Sequence, residues 1–436
     1  MLMVRLVINN SYSKILGLTQ IQEKDLRKEF SYIVGGKNSY FSKYGPKRRS
    51  LISKYGEFPS GLLNRVRHYL RHNSIKFETE STCKSPGMLK VNSTIKNIKP
   101  YDWQTEASDA IAYYARGTIE ACTGSGKSIA IALTIAKIGV KTLVVVPNLE
   151  LKKQLTGLFN EVFEDPSFIS VENIDSNNLK KQGDYDLLIL DEVHHAASAT
   201  YQKLNKKYWN GIFFRACFTA TAFRNDDEET LLYEGIAGTV RYRLNYKKAV
   251  KHGYIVPIEA YYLESAKQKT EAFTYASVYS ELVVNNDYKN QMIAYLLEYI
   301  SSQGKSVLCL VKEINHGKNL SKRTGFRFAS GESEESREDI QRFNSGEITT
   351  LIGTEGILGE GVDTKPCEFV IIAGLGKAKS NLMQKIGRCV RKYQNKTSGK
   401  VFLIKDTSHK YLLRHFKEQC KIIEEEYGIK PLKLDV

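Results

Sequence analysis

The 436-residue sequence lacks the features of a secreted or membrane-spanning protein. Its seven cysteines (Cys83, Cys122, Cys217, Cys309, Cys367, Cys389 and Cys420) are odd in number, scattered, and form no C-x-x-C pair. That argues against a disulfide framework and against a cysteine zinc site, and fits a reducing compartment. No run approaches the ~20 apolar residues of a membrane span, and the opening stretch to Ile8 is interrupted by Arg5 and too short for the apolar core of a leader. No membrane role is expected. His194 and His195 are adjacent, but no third ligand lies near them in the sequence, which argues against a metal centre built on the pair. Acidic residues are scarce in the first hundred positions, 6 against 19 Lys and Arg for a net +13, whereas the remaining chain holds 42 against 45 for +3. A polyanion is the natural partner of that basic segment.

What is present is a soluble globular composition, 42% hydrophobic and 26% charged, in a chain long enough for two or three domains. Val4–Asn9 reads as a strand, and Thr19 with Gln22 forms a T-x-x-Q capping box that opens a helix towards Tyr32. Phe41–Gly45 and Leu51–Gly56 flank the basic turn Lys47, Arg48, Arg49 and read as hairpin arms. Ser60 is placed to cap a helix in which Leu62, Leu63, Val66, Tyr69 and Leu70 share one face while Arg65, His68, Arg71 and His72 share the other. Ile75–Glu80 returns as a strand, and Ser81–Asn97 reads as a linker. From Thr118 the pattern becomes apolar strands alternating with helices. Thr118–Ala121, Thr142–Val146, Asp186–Leu190 and Ile212–Thr219 are followed, after a linker-like 251–257, by Ser306–Val311, Thr349–Gly353, Glu368–Ala373 and Lys400–Ile404. Alternation of this kind predicts parallel, doubly wound sheets.

Ala121-Cys-Thr-Gly-Ser-Gly-Lys-Ser128 matches a phosphate-binding loop except for its first residue, and it sits between a predicted strand and a predicted helix as that loop requires. Backbone N–H groups around Thr123, Gly124, Ser125 and Gly126 would face phosphate oxygens, Lys127 would supply charge, and the Ser128 hydroxyl would reach Mg²⁺. Asp191 and Glu192 end an apolar strand beside that loop. The pair suits a division of labour in which Asp191 holds Mg²⁺ and Glu192 activates water. Thr219-Ala-Thr221 follows another strand. Thr354–Asp363 is a glycine-rich loop suited to close approach of a nucleic-acid backbone, with Thr354 and Gly356 at its start. Gln384, Arg388 and Arg391 are spaced to share one face of a helix, from which guanidinium groups would serve the γ-phosphate. The phosphate loop and this basic segment are expected to belong to one catalytic site.

In this order the segments resemble motifs I, II, III, V and VI of superfamily 2 helicases and translocases, over residues 98 to 410. The resemblance implies two tandem RecA-like parallel-sheet lobes, 96–255 and 256–436, preceded by a small basic α+β domain, 1–95, that binds DNA. It implies that ATP and Mg²⁺ are the cofactors, that Gln104 reads adenine, and that Asp363 approaches the ribose. His194, Thr219 and Thr221 would couple hydrolysis to lobe movement. Pro147, Asn148 and Gln154 would touch the tracked strand together with Thr354 and Gly356, and Lys47, Arg48, Arg49 and Arg65 would hold nucleic acid in the basic domain. The N-terminal hairpin and helix, with Phe58-Pro-Ser-Gly-Leu-Leu63, resemble the small domain of phage UvsW-type branch-migration helicases and their XPB-like relatives. This implies a monomeric 3′→5′ DNA motor acting on forked or branched DNA in the cytoplasm, at the nucleoid or in a phage host. An RNA helicase, or a nucleotide-gated DNA clamp that does not translocate, stays open as an alternative.

Overall fold

The computed structural model describes residues 3–34, 47–83, 91–96, 98–180, 184–192, 198–220, 227–331, 335–356, 367–374 and 379–434. Two compact units emerge: residues 1–121 with 126–244, and residues 122–125 with 245–436.

The first unit opens with β1 (Val4–Ile8), β2 (Tyr12–Leu16), α1 (Gln20–Glu29), β3 (Ser31–Ile33), β4 (Arg48–Ser50), β5 (Glu57–Pro59), α2 (Leu63–His72) and β6 (Phe77–Ser81). Four of these strands form a mixed sheet in the order β5-β2-β1-β6, and β3 pairs antiparallel with β4. The expected capping box is present, with Thr19 N–H donating to Gln22 Oε1 at 2.9 Å and Gln22 N–H to Thr19 Oγ1 at 3.3 Å. Two expectations fail here. Leu51–Gly56 is a turn rather than a hairpin arm, because Ser53 Oγ accepts the N–H groups of Tyr55 and Glu57 and folds the chain back. Ser60 caps no helix: its hydroxyl donates to the Asn9 carbonyl at 2.6 Å, and it begins a short 3-10 turn instead. The apolar face of α2 does pack as expected, since Leu62, Val66 and Leu70 are fully buried with Leu6, Leu26 and Phe58.

The same unit continues with α3 (Asp102–Tyr114), β7 (Arg116–Ala121), α4 (Lys127–Ile138), β8 (Thr142–Val146), α5 (Leu149–Val162), β9 (Ile169–Asn173), β10 (Leu187–Asp191), α6 (Ala199–Lys207), β11 (Phe214–Thr219), α7 (Asp227–Ala237) and β12 (Val240–Leu244). Its six strands are all parallel, in the order β12-β7-β11-β10-β8-β9. A sheet covered on both faces needs uninterrupted apolar strands. Thr142–Val146 and Leu187–Asp191 meet that need, being buried at every position.

The small sheet is fastened to this lobe by a polar seam. Arg215, on β11 and 1% exposed, donates to Asn205 Oδ1 at 2.6 Å, to the Trp209 carbonyl and to Ser11 Oγ. Asn10 Nδ2 donates to the Gly211 carbonyl at 2.9 Å, and Arg65 pairs with Glu234 at 2.6 Å. Gly61 lies so close to the Glu234 and Gly235 carbonyls that a Cβ there would collide with them. Part of the presumed linker is also fixed, with Val91 N–H bonded to the Gly139 carbonyl and Lys96 N–H to the Val162 carbonyl.

The second unit holds α8 (Tyr246–Lys251), β13 (Ile258–Glu264), α9 (Tyr275–Tyr279), a π-turn at Ser280–Val284, α10 (Asp287–Ser302), β14 (Val307–Val311), α11 (Ile314–Thr324), β15 (Arg327–Ala329), α12 (Glu335–Ser345), β16 (Thr350–Thr354), β17 (Phe369–Ile372), α13 (Lys379–Ile386), β18 (Gly399–Lys405), α14 (Lys410–Tyr427) and β19 (Leu432–Lys433). Seven parallel strands run in the order β15-β16-β14-β17-β18-β13-β19. The two RecA-like sheets and the small preceding sheet are the architecture the motifs imply. Among the described residues, no helix is long and apolar enough to cross a membrane.

Candidate nucleotide site

In an open parallel sheet, ligands bind outside the carboxyl ends of the strands. In the first unit that edge carries Ala121 at the end of β7, Asp191 at the end of β10 and Thr219 at the end of β11. After Ala121 the chain turns through Gly124 (φ +79°) and Gly126 (φ +94°) into α4. Both glycines have left-handed backbone that a side chain would disfavour, and Gly126 is the N-cap of a twelve-residue helix with no side-chain cap of its own. First-turn N–H groups and the positive helix end suit an anion. Ser125 tightens the turn, its hydroxyl donating to the Cys122 carbonyl at 2.7 Å.

Lys127 Nζ lies 3.4 Å from the Ala121 carbonyl and 3.9 Å from Glu192 Oε1. Asp191 and Glu192 are both buried, and Asp191 Oδ1 accepts the Glu192 N–H at 3.0 Å. Glu192 has φ +49°, a conformation that costs a residue with a Cβ about 1–2 kcal/mol. Thr219 is fully buried.

Gln104 is buried on α3 beside Gly126. Its Oε1 accepts the Tyr101 N–H at 2.9 Å and its Nε2 donates to the Gly126 carbonyl at 3.0 Å, which leaves one N–H and one lone pair of the amide for a further partner. Asn148 also has a structural task, accepting the Leu151 N–H at 2.9 Å as the N-cap of α5, with Pro147 just before it and Gln154 half-buried on the helix.

Within the second unit, Thr123 Oγ1 donates to the Met383 carbonyl at 3.3 Å. The helix expected to carry Gln384, Arg388 and Arg391 together ends at Ile386. From there the backbone closes turns, Arg388 N–H to the Lys385 carbonyl and Cys389 N–H to the Ile386 carbonyl, and Val390 is drawn into a bond with Val256 N–H. Gln384 is therefore on α13, whereas Arg388, which is buried, and Arg391 follow it on a turn. Lys385 is buried against Glu355 at 2.9 Å, and burial pushes its ammonium below the usual lysine range while Glu355 opposes that shift. Thr354 ends β16, buried, and Gly356 follows it. Lys47 and Arg49 are exposed, but Arg48 donates to Ser31 Oγ and carbonyl at 3.0 and 3.1 Å, and Arg65 is held by Glu234. His194, Thr221 and Asp363 lie outside the described residues.

The donor set fits ATP with Mg²⁺. Among the described residues no cluster of three His, Cys, Asp or Glu could cage a metal alone. Magnesium is ordinarily held by one or two carboxylates together with substrate phosphates, which is what Asp191 and the Ser128 hydroxyl offer. Sequence reasoning missed the Lys385–Glu355 pair and the Arg215 seam, whose partners lie far along the chain.

Residues 97–184 match the family described as type III restriction enzyme, res subunit, and residues 288–393 match the helicase conserved C-terminal domain. Similar curated proteins include one described as helicase 22 of Sulfolobus islandicus filamentous virus, 26% identical over 388 residues, which covers 77% of this chain and 67% of the relative. The DNA 3′-5′ translocase XPB2 of Sulfurisphaera tokodaii is 24% identical, covering 75% and 85%. The ATP-dependent DNA helicase uvsW of Enterobacteria phage T4 is 20% identical, covering 73% and 71%. The chain spans between half and two thirds of the length of the first curated relatives it matches. In fold it resembles the solved S. cerevisiae Dbp5 bound to RNA and ADP BeF3, with a TM-score of 0.56, 15% identity, and coverage of 77% of this chain and 90% of that one.

Proposed function

We propose that the chain is an ATP-hydrolysing superfamily 2 helicase of the XPB and UvsW group, a DNA translocase moving 3′→5′ that remodels forked or branched DNA in replication, recombination or repair, a reading supported by its matches to the restriction-enzyme res subunit and helicase C-terminal families and by its helicase relatives. The observation that carries the chemistry is the convergence of Lys127, Asp191 and Glu192 at one sheet edge, with Lys127 Nζ 3.9 Å from Glu192 Oε1. Bound Mg²⁺ would neutralise charge on the β- and γ-phosphates.

The protein's own groups do the rest. The loop N–H groups and Lys127 bind the phosphates, and Gln104 keeps the loop in shape through its bond to the Gly126 carbonyl. The Ser128 hydroxyl and the Asp191 carboxylate would hold the metal. Glu192 orients water and accepts its proton, and release of Lys127 from Glu192 frees that carboxylate for the task. Arg388 and Arg391 are assigned to the charge that develops on the γ-phosphate, with Gln384 beside them in the chain. Thr219 at the end of β11 is assigned to coupling.

DNA as the track is supported by the +13 of the first hundred residues and by the XPB2 and uvsW relatives, a DNA 3′-5′ translocase and an ATP-dependent DNA helicase. The test is ATP turnover and strand displacement on single strand, duplex, fork, four-way junction and RNA, with overhangs of both polarities. Stimulation by DNA, with displacement from a 3′ overhang and greatest activity on branched substrates, is expected. Stimulation by RNA alone would replace DNA by RNA as the substrate, and tight ATP-dependent binding without turnover would make the chain a clamp.

A further inference from the structure

The carboxyl edge of the second sheet carries a set of aromatic and basic side chains to which no role has been assigned. Lys312 leaves the end of β14 exposed, with its ammonium 4.7 Å from the centre of the Tyr275 ring and 5.0 Å from that of Tyr279, both on α9. Tyr275 meets Tyr411 at 6.1 Å, edge to face, and Tyr411 lies at the start of α14 just beyond the end of β18. His409 lies 4.8 Å from the Tyr411 ring, Lys410 Nζ 5.7 Å and the Arg414 guanidinium 5.8 Å. Lys410 and Arg414 are exposed, and the rings of Tyr275 and Tyr411 are half-buried.

This arrangement is anchored and therefore fixed in shape. Tyr279 is buried with Val278, Leu282 and Leu412, and Tyr275 and Tyr411 pack on that cluster from outside. The hydroxyl of Tyr275 is buried and makes no hydrogen bond among the described residues, so this ring is present for its face rather than for its polar end. Two carboxylates, Glu313 and Glu355, lie near enough to act on Tyr275, but Glu355 is already paired with Lys385. The free charge around Tyr411 is cationic.

Aromatic rings interleaved with cations are what an unpaired nucleic-acid strand requires, a stacking face for the base and positive charge for its phosphates. Duplex would not suit the rings, whose faces need an unstacked base. The site also shares its sheet edge with Thr354 and Gly356, since Glu355 N–H bonds the Val311 carbonyl one residue before Lys312. We propose that Tyr411, supported by Tyr275 with Lys312 over it and flanked by Lys410 and Arg414, is a stacking platform for one unpaired base of a single nucleic-acid strand. The inference rests on the motor reading above, and it gives the second lobe a sequence-tolerant grip on a base where the motif loops would hold backbone.

The test is binding of the full-length protein to a short oligodeoxythymidylate carrying a single 2-aminopurine, scanned along the strand. Wild type should quench the probe at one position through stacking. Tyr411→Leu, which keeps apolar packing without a ring, should abolish that quench and weaken binding about 5- to 100-fold. Tyr411→Phe should keep both, and all three proteins should melt alike. Lys312→Ser with Lys410→Ser should preserve the quench but flatten the dependence of log affinity on log salt by about 1.4. Unchanged affinity and quench in Tyr411→Leu would overturn the platform while leaving the motor intact. Failure of the wild-type protein to bind any single strand would overturn the motor reading, and this inference with it.

Discussion

The carboxyl edges of the two parallel sheets are the same place in the same kind of lobe, yet they are furnished in opposite ways. In the first unit the edge buries carboxylates beside a lysine, Asp191 and Glu192 next to Lys127. In the second it presents Lys312 over tyrosine rings, with Thr354 and Gly356 alongside. Charges at close range in a shielded pocket shift protons and stabilise phosphate transfer, whereas rings and exposed cations only hold. A shared backbone therefore does not dictate a shared task; the residues at the strand ends decide it. The sharpest break in this contrast is Glu192→Gln. It should lower ATP turnover by about 10²–10⁴-fold, the usual worth of a general base, while nucleotide and DNA affinity persist. Steady-state hydrolysis with parallel binding titrations measures this, and near-normal turnover would remove chemistry from the first edge.

A second difference concerns buried cations. In the first unit, Arg215 is surrounded by neutral acceptors, Asn205 Oδ1, Ser11 Oγ and the Trp209 carbonyl. In the second, Lys289 is 2% exposed and pairs with Asp406 at 2.5 Å, while also donating to the Leu282 carbonyl at 2.7 Å. Burial pulls the Lys289 ammonium below its ordinary range and Asp406 works against that shift. A lone buried charge is the costly state, so Asp406→Ala should destabilise the protein by about 3–5 kcal/mol, and adding Lys289→Met should restore much of the loss. Arg215→Met strands no carboxylate among the hydrogen-bond partners of Arg215, and should cost only about 1–3 kcal/mol, because Asn205 Oδ1 loses its donor while Ser11 Oγ still donates to the Trp209 carbonyl at 3.0 Å. Denaturant unfolding of the three variants beside wild type sets the order, and a larger loss for Arg215→Met would reverse the comparison.

Next in size is a pH effect confined to the second unit. His316 is fully buried on α11, and burial, reinforced by the nearby Lys289 charge, lowers its pKa to about 4. Asn290 donates its amide to the Val284 carbonyl, so its Oδ1 accepts from His316 Nε2 at 2.9 Å and fixes the neutral tautomer. The unfolded chain takes up a proton near pH 6.5 and the folded one only near 4. The stabilisation is thus complete above pH 6.5 and lost as pH falls towards 4, by about 3 kcal/mol for a shift of this size. His316→Gln should flatten the melting profile between those pH values; an unchanged slope would place the acid sensitivity elsewhere.

The sequence displayed the strands of both lobes where apolar runs are continuous, as in Thr142–Val146 and Ser306–Val311, because burial on two faces leaves no polar positions. It hid β9 and β13, whose Ile-Ser-Val-Glu-Asn and Ile-Glu-Ala-Tyr-Tyr-Leu-Glu mix polar residues with apolar ones. The nucleotide loop and the Asp191–Glu192 pair were legible because phosphate chemistry confines their residue types and spacing to a few contiguous positions. Gln104 shows the limit of such patterns. A glutamine at that spacing was read as facing adenine, and the pattern gave no sign that the same amide also bonds Tyr101 and Gly126. Arg388 was placed on a helix by spacing alone, and the bond between Val256 and Val390 that ends the helical path joins residues 134 apart, beyond the reach of any local rule. The tyrosines at 275 and 411 are equally distant, and nothing in either segment alone marks them as neighbours.

The smallest expected effects divide the basic residues of the N-terminal domain, which the sequence treated alike. Lys47 and Arg49 are exposed, whereas Arg65 is fixed to Glu234, whose carboxyl burial raises above its ordinary value and Arg65 draws back down. Each released phosphate contact on duplex DNA changes the salt slope by about 0.9, so Lys47→Ser with Arg49→Ser should flatten the slope by about 1.8 and leave melting unchanged. Arg65→Ser should do the reverse, keeping the slope while lowering the melting temperature, because Glu234 is left in the seam without its cation. The two readouts separate the roles even if both variants bind DNA less well, since only loss of a phosphate contact alters the number of counterions displaced. Equal slopes for wild type and the double variant would remove Lys47 and Arg49 from the DNA contact, and the grip of this domain would then have to come from the His68, Arg71 and His72 face of α2.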